Sequence, residues 1–180
     1  LILKVSNIAI EAGKIILEHY KSDLQVMEKK DNSPLTNADL QSNNFITKEL
    51  KLLNEETPIL SEESLIKWDE RKKWNTYWLV DPLDGTKEFI SGRNEYTVNI
   101  ALIKGGTPVI GVIYLPALTT IYWGGQGIEA VRQFDGSAPE RIRTRDMPKE
   151  GATVVTSRSH LTPETESWLS TITTSHREYA

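Results

Sequence analysis

The sequence predicts an α+β chain that ends in the opening of an α/β unit. Three observations carry this prediction. Two segments within residues 1–54 repeat apolar residues at helical spacing. Short β-rich runs, punctuated by Gly and Pro, then occupy much of residues 77–144. A strand–loop–helix pattern begins at Thr153.

The first helix spans Leu3 to Tyr20. Val5, Ile8, Ala9, Ala12, Ile15 and Ile16 form its apolar stripe, with Gly13 as a local weakness. His19, near its end, reads as a surface residue suited to a helix C-terminus. Leu24 to Glu28 suggests a short strand, and Lys29 to Pro34 a turn. A second helix runs to about Asn54, with Thr36 or Asn37 as N-cap and Ile46, Leu50 and Leu53 on its apolar face. Asp39, near the start of this helix, reads first as a complement to the helix dipole.

Pro58-Ile59-Leu60 forms a strand pattern ending in Ser61-Glu62-Glu63-Ser64. Lys67 to Lys73 is polar and expected to be exposed, with Trp68 and Trp74 as packing residues. Tyr77-Trp78-Leu79-Val80 has the residue types of a buried strand and is expected to end at Asp81. Ser91 to Glu95 has turn character. Strands follow at Tyr96 to Ile103, Pro108 to Tyr114 and Thr119 to Trp123, the first two joined by Lys104-Gly105-Gly106-Thr107. Gly124-Gly125-Gln126-Gly127 lacks the Lys-Ser/Thr ending of a P-loop, so it reads as a hairpin turn. Ile128 to Arg132 and Ile142 to Thr144 are further short strand candidates. Thr153 to Thr156 is another, followed by Ser157-Arg158-Ser159-His160 and a helix start at Thr162-Pro163-Glu164.

The chemistry concentrates in Asp81-Pro82-Leu83-Asp84-Gly85-Thr86-Lys87-Glu88-Phe89-Ile90. Pro82 disfavours a helical Asp81, so the two carboxylates are expected on a turn at a strand end. Hard divalent cations bind such oxygens and share them with phosphate. A Gly-Thr pair opening a helix presents backbone N–H groups to an anion. Should the strand ending at Leu60 lie beside this one, Glu62, Asp81 and Asp84 would converge on one cation.

Composition narrows the choices further. A length of 180 residues suits one domain, or one domain plus part of another. A net charge of −4 gives no basis for nucleic-acid binding, and an anionic substrate would need a local positive element such as a metal. Without cysteine there is no disulfide, thiolate metal site or cysteine nucleophile, which fits a reducing compartment. The expected location is cytoplasmic, with peripheral attachment at the inner face of the membrane as an extension. No apolar stretch approaches membrane-spanning length. The chain opens with Leu rather than Met, consistent with a processed, trimmed or partial sequence.

Four segments together resemble the lithium-sensitive, Mg²⁺-dependent phosphomonoesterase superfamily that includes inositol monophosphatase. They are Asn32 to Asp39, Leu60-Ser61-Glu62-Glu63, Trp78 to Phe89, and Ser157 to His160; Tyr96 to Ile103 also fits. The Lys-Glu-Phe after Asp-Pro-Leu-Asp-Gly-Thr leans toward the bacterial 3′(2′),5′-bisphosphate nucleotidases. The resemblance implies a layered αβαβα sandwich: residues 1–148 as an N-terminal α+β domain binding metal and phosphate, and residues 149–180 as the beginning of a C-terminal α/β domain.

It further implies two or three Mg²⁺ ions, inhibited by Li⁺, on Glu62, Asp81, the Leu83 carbonyl and Asp84, with Asp81 bridging. Glu62 and Thr86 would position the attacking water, and Asp39 would orient Thr86. Glu62, Leu83, Asp84, Gly85 and Thr86 would meet the substrate phosphate, and Ser157 to His160 the nucleotide. The implied reaction converts adenosine 3′,5′-bisphosphate to AMP and phosphate; inositol or sugar phosphates are the alternative substrates. The family pattern continues to a Trp-Asp-x-Ala-Ala segment carrying another metal-binding Asp, which these residues do not reach. The only Trp-Asp here, Trp68-Asp69, precedes the central motif. The sequence therefore reads as the first two-thirds of such an enzyme, with a non-catalytic fragment that binds metal or nucleotide as a third possibility.

Overall fold

The first helix, α1 (Ile2–Tyr20), buries Val5, Ile8, Ala9, Ala12 and Ile16, the stripe expected from the sequence. The computed structural model describes residues 1–20, 26–28, 34–64, 66–157 and 161–179. Leu24, Gln25 and the Lys29–Ser33 part of the expected turn lie outside the described residues. Pro34 instead opens a strand: β1 (Val26–Glu28) and β2 (Pro34–Thr36) pair antiparallel. The second strand hands its last residue, Thr36, to α2 (Asn37–Leu53) as the N-cap.

A seven-stranded mixed sheet follows: β3 (Ile59–Ser61), β4 (Thr76–Asp84), β5 (Thr97–Lys104), β6 (Thr107–Leu115), β7 (Thr120–Gly125), β8 (Ile128–Phe134) and β9 (Glu140–Arg141), side by side in that order. Only β3 and β4 run parallel; the other neighbours are antiparallel. Strand alternation sorts the side chains. Trp78 and Val80, Val98 and Ile100, and Val112 and Tyr114 are buried in one core with α1 and α2. Each such large side chain removed from water contributes about 1.5–3 kcal/mol. The opposite face carries the exposed Leu79 and Ile113.

Several elements differ from the sequence expectation. Residues 67–73 contain a short helix, α3 (Trp68–Arg71), and Trp68 is not a packing residue. It is 66% exposed, with the Arg71 guanidinium over its ring at 5.6 Å. Ile142–Thr144 forms no strand; the pairing falls on Glu140–Arg141 opposite β8, and Ile142 adds one backbone bond to Ala130. The strand expected to end at Asp81 continues to Asp84 and leads into α4 (Thr86–Ile90).

The described residues divide into two compact units, Leu1–Ile142 and Arg143–Ala180; the sequence expectation placed the division after residue 148. The second unit contains β10 (Ala152–Thr156), α5 (Pro163–Leu169) and β11 (Thr174–Tyr179), with β10 and β11 parallel. Thr162 caps α5 as expected, accepting from the Thr165 N–H at 3.3 Å. The chain thus closes on a strand–helix–strand unit rather than a strand and a helix. Ser175-His176-Arg177-Glu178 gives no apolar alternation, so β11 is invisible to hydrophobic pattern; parallel pairing and the Arg177–Glu166 fork at 2.9 Å secure it. No helix among the described residues is long and apolar enough to cross a membrane.

Gly13, a weakness by propensity, marks the closest approach of α1 to the sheet. A Cβ there would stand 2.4 Å from the Tyr114 ring and 3.0 Å from Pro116. Gly13→Ala should therefore lower stability by about 1–3 kcal/mol through overpacking, although Ala gains roughly 1 kcal/mol in helix propensity. Urea unfolding checks the sign: a midpoint at or above wild type would show that the contact is slack.

Candidate active site

The parallel pairing of β3 and β4 creates the site. Ser61 lies opposite Val80, and the Glu62 N–H donates to the Val80 carbonyl at 3.1 Å, so Glu62 emerges beside Asp81. A turn closed by the Ser64 N–H on the Ser61 carbonyl carries Glu62 away from the strand.

The second carboxylate arrives through a bulge. Asp81 pairs with Asn99, whereas Asp84 pairs with Thr97: three steps on β4 match two on β5. In a regular strand, residues three apart point to opposite faces. The extra residue restores Asp84 to the face of Asp81. Pro82 has no N–H to lose, and the bulge accommodates it. This replaces the expected turn with a bulged strand end. Three contacts hold it: Ser42 Oγ donates to the Pro82 carbonyl at 2.9 Å, Leu83 is buried, and the Leu83 N–H reaches Asp81 Oδ1 at 3.3 Å.

Gly85 then turns the chain into α4 with φ of +90°; a Cβ would meet the Glu95 carbonyl at 2.5 Å. The five-residue α4 is anchored by Phe89, which is fully buried and sits 5.5 Å from Tyr20 and 5.1 Å from Tyr96 between ring centroids.

Asp39 does more than complement a dipole. It is buried and accepts from the Thr36 N–H at 2.7 Å and the Thr36 hydroxyl at 2.5 Å, while its other oxygen accepts from the Thr86 hydroxyl at 3.1 Å. Burial pushes this carboxyl upward, and the Thr36 and Thr86 hydrogen bonds oppose the shift. The Thr86 hydroxyl also lies 3.1 Å from the Leu83 carbonyl, so one proton faces two acceptors.

Asp81 is pushed up to about 8, first by burial and then by the charges of Glu62 and Asp84. The exposed Asp84 accepts from Asn99 Nδ2 at 3.1 Å, and the Thr97 hydroxyl donates to Asn99 Oδ1 at 3.0 Å. Among the described residues no three His, Asp or Glu side chains are grouped closely enough to hold a metal ion by themselves. The donor set nevertheless fits a hard cation. It is all oxygen, and a positive charge would reverse what raises Asp81. Glu62, Asp81 and Asn99 line an open groove of about 770 Å³.

Sequence reasoning missed Ser42, Asn43 and Asn99. Counting in helical steps from Asp39 reaches 42, 43, 46 and 50, the buried stripe of α2. Polar residues on a stripe that turns apolar only at Ile46 were the available signal. Asn99 was signalled only through its register opposite Asp81.

The model of the inositol monophosphatase family matches residues 2–179. The chain belongs to this family. Over 168 residues it is 41% identical to the 3′(2′),5′-bisphosphate nucleotidases CysQ of Salmonella typhimurium and Escherichia coli, covering 92% of this chain and 67% of each relative. The crystal structure of CysQ from Bacteroides thetaiotaomicron, a bacterial member of the family, superposes with a TM-score of 0.80 at 35% identity, over 98% of this chain and 71% of that one. The layered α/β sandwich is thus the family fold, and the family is one of metal-dependent phosphatases. Arg158 to His160 lie outside the described residues, and Ser157 is exposed at the end of β10. Trp68-Asp69 sits on the exposed α3.

The electrostatics of this inositol monophosphatase-family site give a pH-dependent stability. The folded protein keeps a proton on Asp81 up to about pH 8, while the unfolded chain releases it near 4. This contribution is full below about pH 4 and is lost as the pH rises through about 8. Asp81→Asn should therefore melt higher than wild type in chelator at pH 8–9, by about 2–4 °C per kcal/mol relieved, with the curves converging toward pH 4–5. Parallel melting curves across that range would count against the assignment.

Proposed function

We propose that this protein hydrolyses the 3′-phosphate of adenosine 3′,5′-bisphosphate to AMP and phosphate, with Mg²⁺ as its cofactor. The observation that carries this reading is the Asp39–Thr86 hydrogen bond at the strand end where Glu62, Asp81 and Asp84 meet. The 41% identity to relatives named as 3′(2′),5′-bisphosphate nucleotidases supports the substrate class.

Glu62, Asp81, Asp84 and the Leu83 carbonyl are the oxygens that would hold the metal in this reading. Bound divalent metal supplies Lewis acidity toward the phosphate and makes water a nucleophile at neutral pH. The protein's own contribution is orientation. Thr86 donates its one proton to Asp39, which leaves its lone pairs to accept from a water. That water is held by Thr86 and Glu62 and placed in line with the phosphorus. Its oxygen forms the new P–O bond as the ester P–O bond breaks; one water proton is given up toward Glu62, and the leaving 3′-oxygen takes a proton from solvent. The backbone from Leu83 to Thr86, with Gly85 free of a side chain, approaches the phosphate. No phosphoenzyme is needed, consistent with a chain that has no cysteine. A cytoplasmic location is part of the proposal.

Phosphate release from adenosine 3′,5′-bisphosphate, inositol 1-phosphate and a sugar phosphate tests the substrate class. The bisphosphate should dominate, with Mg²⁺ required and Li⁺ inhibitory. Preference for the inositol ester would move the protein to the other branch; Mg²⁺ binding without any phosphate release would mark a non-catalytic binding protein. Asp84→Asn should cut turnover by about 10²–10³-fold, the scale of losing one electrostatic stabiliser. A variant with wild-type rate and Mg²⁺ dependence would overturn the assignment.

A further inference from the structure

Helix α2 meets the site with three buried polar residues on one stripe. Asp39 contacts Thr86; Ser42 Oγ donates to the Pro82 carbonyl at 2.9 Å; Asn43 Oδ1 accepts from the Ser61 hydroxyl at 2.6 Å. Ser42 is fully buried, Asn43 is 9% exposed and Ser61 is 3% exposed. Each contact lands on a different segment of the site: the Thr86 hydroxyl at the start of α4, the Pro82 carbonyl in the β4 bulge and the Ser61 hydroxyl at the end of β3.

We propose that Ser42 and Asn43 are positioning residues that set the separation between the Glu62 turn and the Asp81–Asp84 bulge, acting through Ser61 and Pro82. The inference rests on the metal-dependent reading above and deepens it. Ser61 Oγ links the two ends of the Glu62 turn. It donates to Asn43 and accepts from the Glu63 N–H at 3.3 Å, one residue on either side of Glu62. With the Ser61 hydroxyl turned toward Asn43, its lone pair faces that N–H; with Asn43 gone, the hydroxyl is free to rotate. The Pro82 carbonyl occupies the bulge, where ladder pairing is interrupted between Asp81 and Asp84. Ser42 supplies a hydrogen bond at the point where the strand ladder gives none.

Both residues stand one i, i+3 or i, i+4 step from Asp39. Asp39, Ser42 and Asn43 therefore move as one rigid body with α2, and the spacing of three chain segments is fixed by helix geometry rather than by loops. Below them the same stripe becomes Ile46 and Leu50, fully buried, which lock the helix to the core. Residues that orient metal-holding groups without touching metal cost about 10–100-fold in metal affinity or activity when removed.

The test compares Asn43→Leu, Ser42→Ala and the conservative Asn43→Asp, which keeps an acceptor for Ser61. Mn²⁺ affinity is read by titration calorimetry, and kcat, KM and Mg²⁺ dependence with adenosine 3′,5′-bisphosphate. Asn43→Leu and Ser42→Ala should weaken Mn²⁺ binding by about 10-fold and lower kcat with little change in KM, while Asn43→Asp restores affinity to within about three-fold of wild type. Unchanged Mn²⁺ affinity in correctly folded Asn43→Leu, with only the melting temperature lowered, would overturn the inference. So would equal impairment of Asn43→Leu and Asn43→Asp. If wild type binds Mn²⁺ but releases no phosphate, the functional reading fails while the calorimetry still decides this one.

Discussion

Glu62 and Asp84 crowd Asp81 so closely that they disfavour its ionisation, and the frame around the three acids is what holds them together. Two carboxylates emerge from neighbouring parallel strands and the third from a bulge in one of them. Burial of Asp81 is the larger cause, since an ionised, half-buried carboxyl would lose solvation that its neighbours do not restore, and the group holds its proton instead. Such an arrangement is stable only because the rest of the fold over-determines it. Two long helices packed on one face of the sheet supply the apolar burial, and the acids stand where that core ends. Core and site residues therefore adjoin on the same strand and the same helix: Val80 and Leu83 flank Asp81 and Asp84, and Ala38 precedes Asp39.

The hydrogen bonds around the acids follow a consistent logic. Donors reach the groups that shape the backbone: Ser42 to the Pro82 carbonyl, the Leu83 N–H to Asp81, Asn99 to Asp84. Asp39, which has its own ring of donors from Thr36 and Thr86, stands apart from the three acids in both partners and role. It is an acceptor inside the protein, whereas Glu62 and Asp84 are exposed. This separates the carboxyl that orients a hydroxyl from those suited to a cation. Environment, not residue type, makes the distinction.

Much of this was legible in the sequence. Apolar spacing located α1 and α2, and Gly and Pro punctuation located the hairpins from β5 to β8. Glu62, Asp81 and Asp84 were singled out because acids followed two strand patterns; parallel pairing of β3 with β4 sets Glu62 beside Asp81, and the bulge turns Asp84 to the face of Asp81. What escaped the reading escaped for physical reasons. The polar strand β11 relies on backbone pairing and an Arg177–Glu166 fork, neither of which leaves a hydrophobic period. Trp68 reads as core by residue type but lies on a four-residue helix too short to bury it. Asp39 reads from its neighbourhood as a dipole complement, because Thr86 lies 47 residues later in the chain; only the family resemblance linked the two.

The bulge shows why the spacing of the central motif matters more than its composition. Asp-x-x-Asp on an ideal strand sends its acids to opposite faces, one of them into the core beside Val80 and Trp78. An unpaired carboxylate there would be strongly destabilising. With one extra residue on β4, Asp81 and Asp84 lie opposite Asn99 and Thr97, which share a face of β5. Pro82 and Leu83 are the residues spent on that correction, and both are buried against the helix side. Leu83 fills core space while its carbonyl stays beside Thr86, so the same residue anchors the bulge and offers an oxygen to the site. Gly85 must follow at once, because only a residue without Cβ can take φ of +90° against the Glu95 carbonyl and start α4. The order Asp-Pro-Leu-Asp-Gly-Thr is thus a sequence of backbone requirements, and the placement of its acids follows from meeting them.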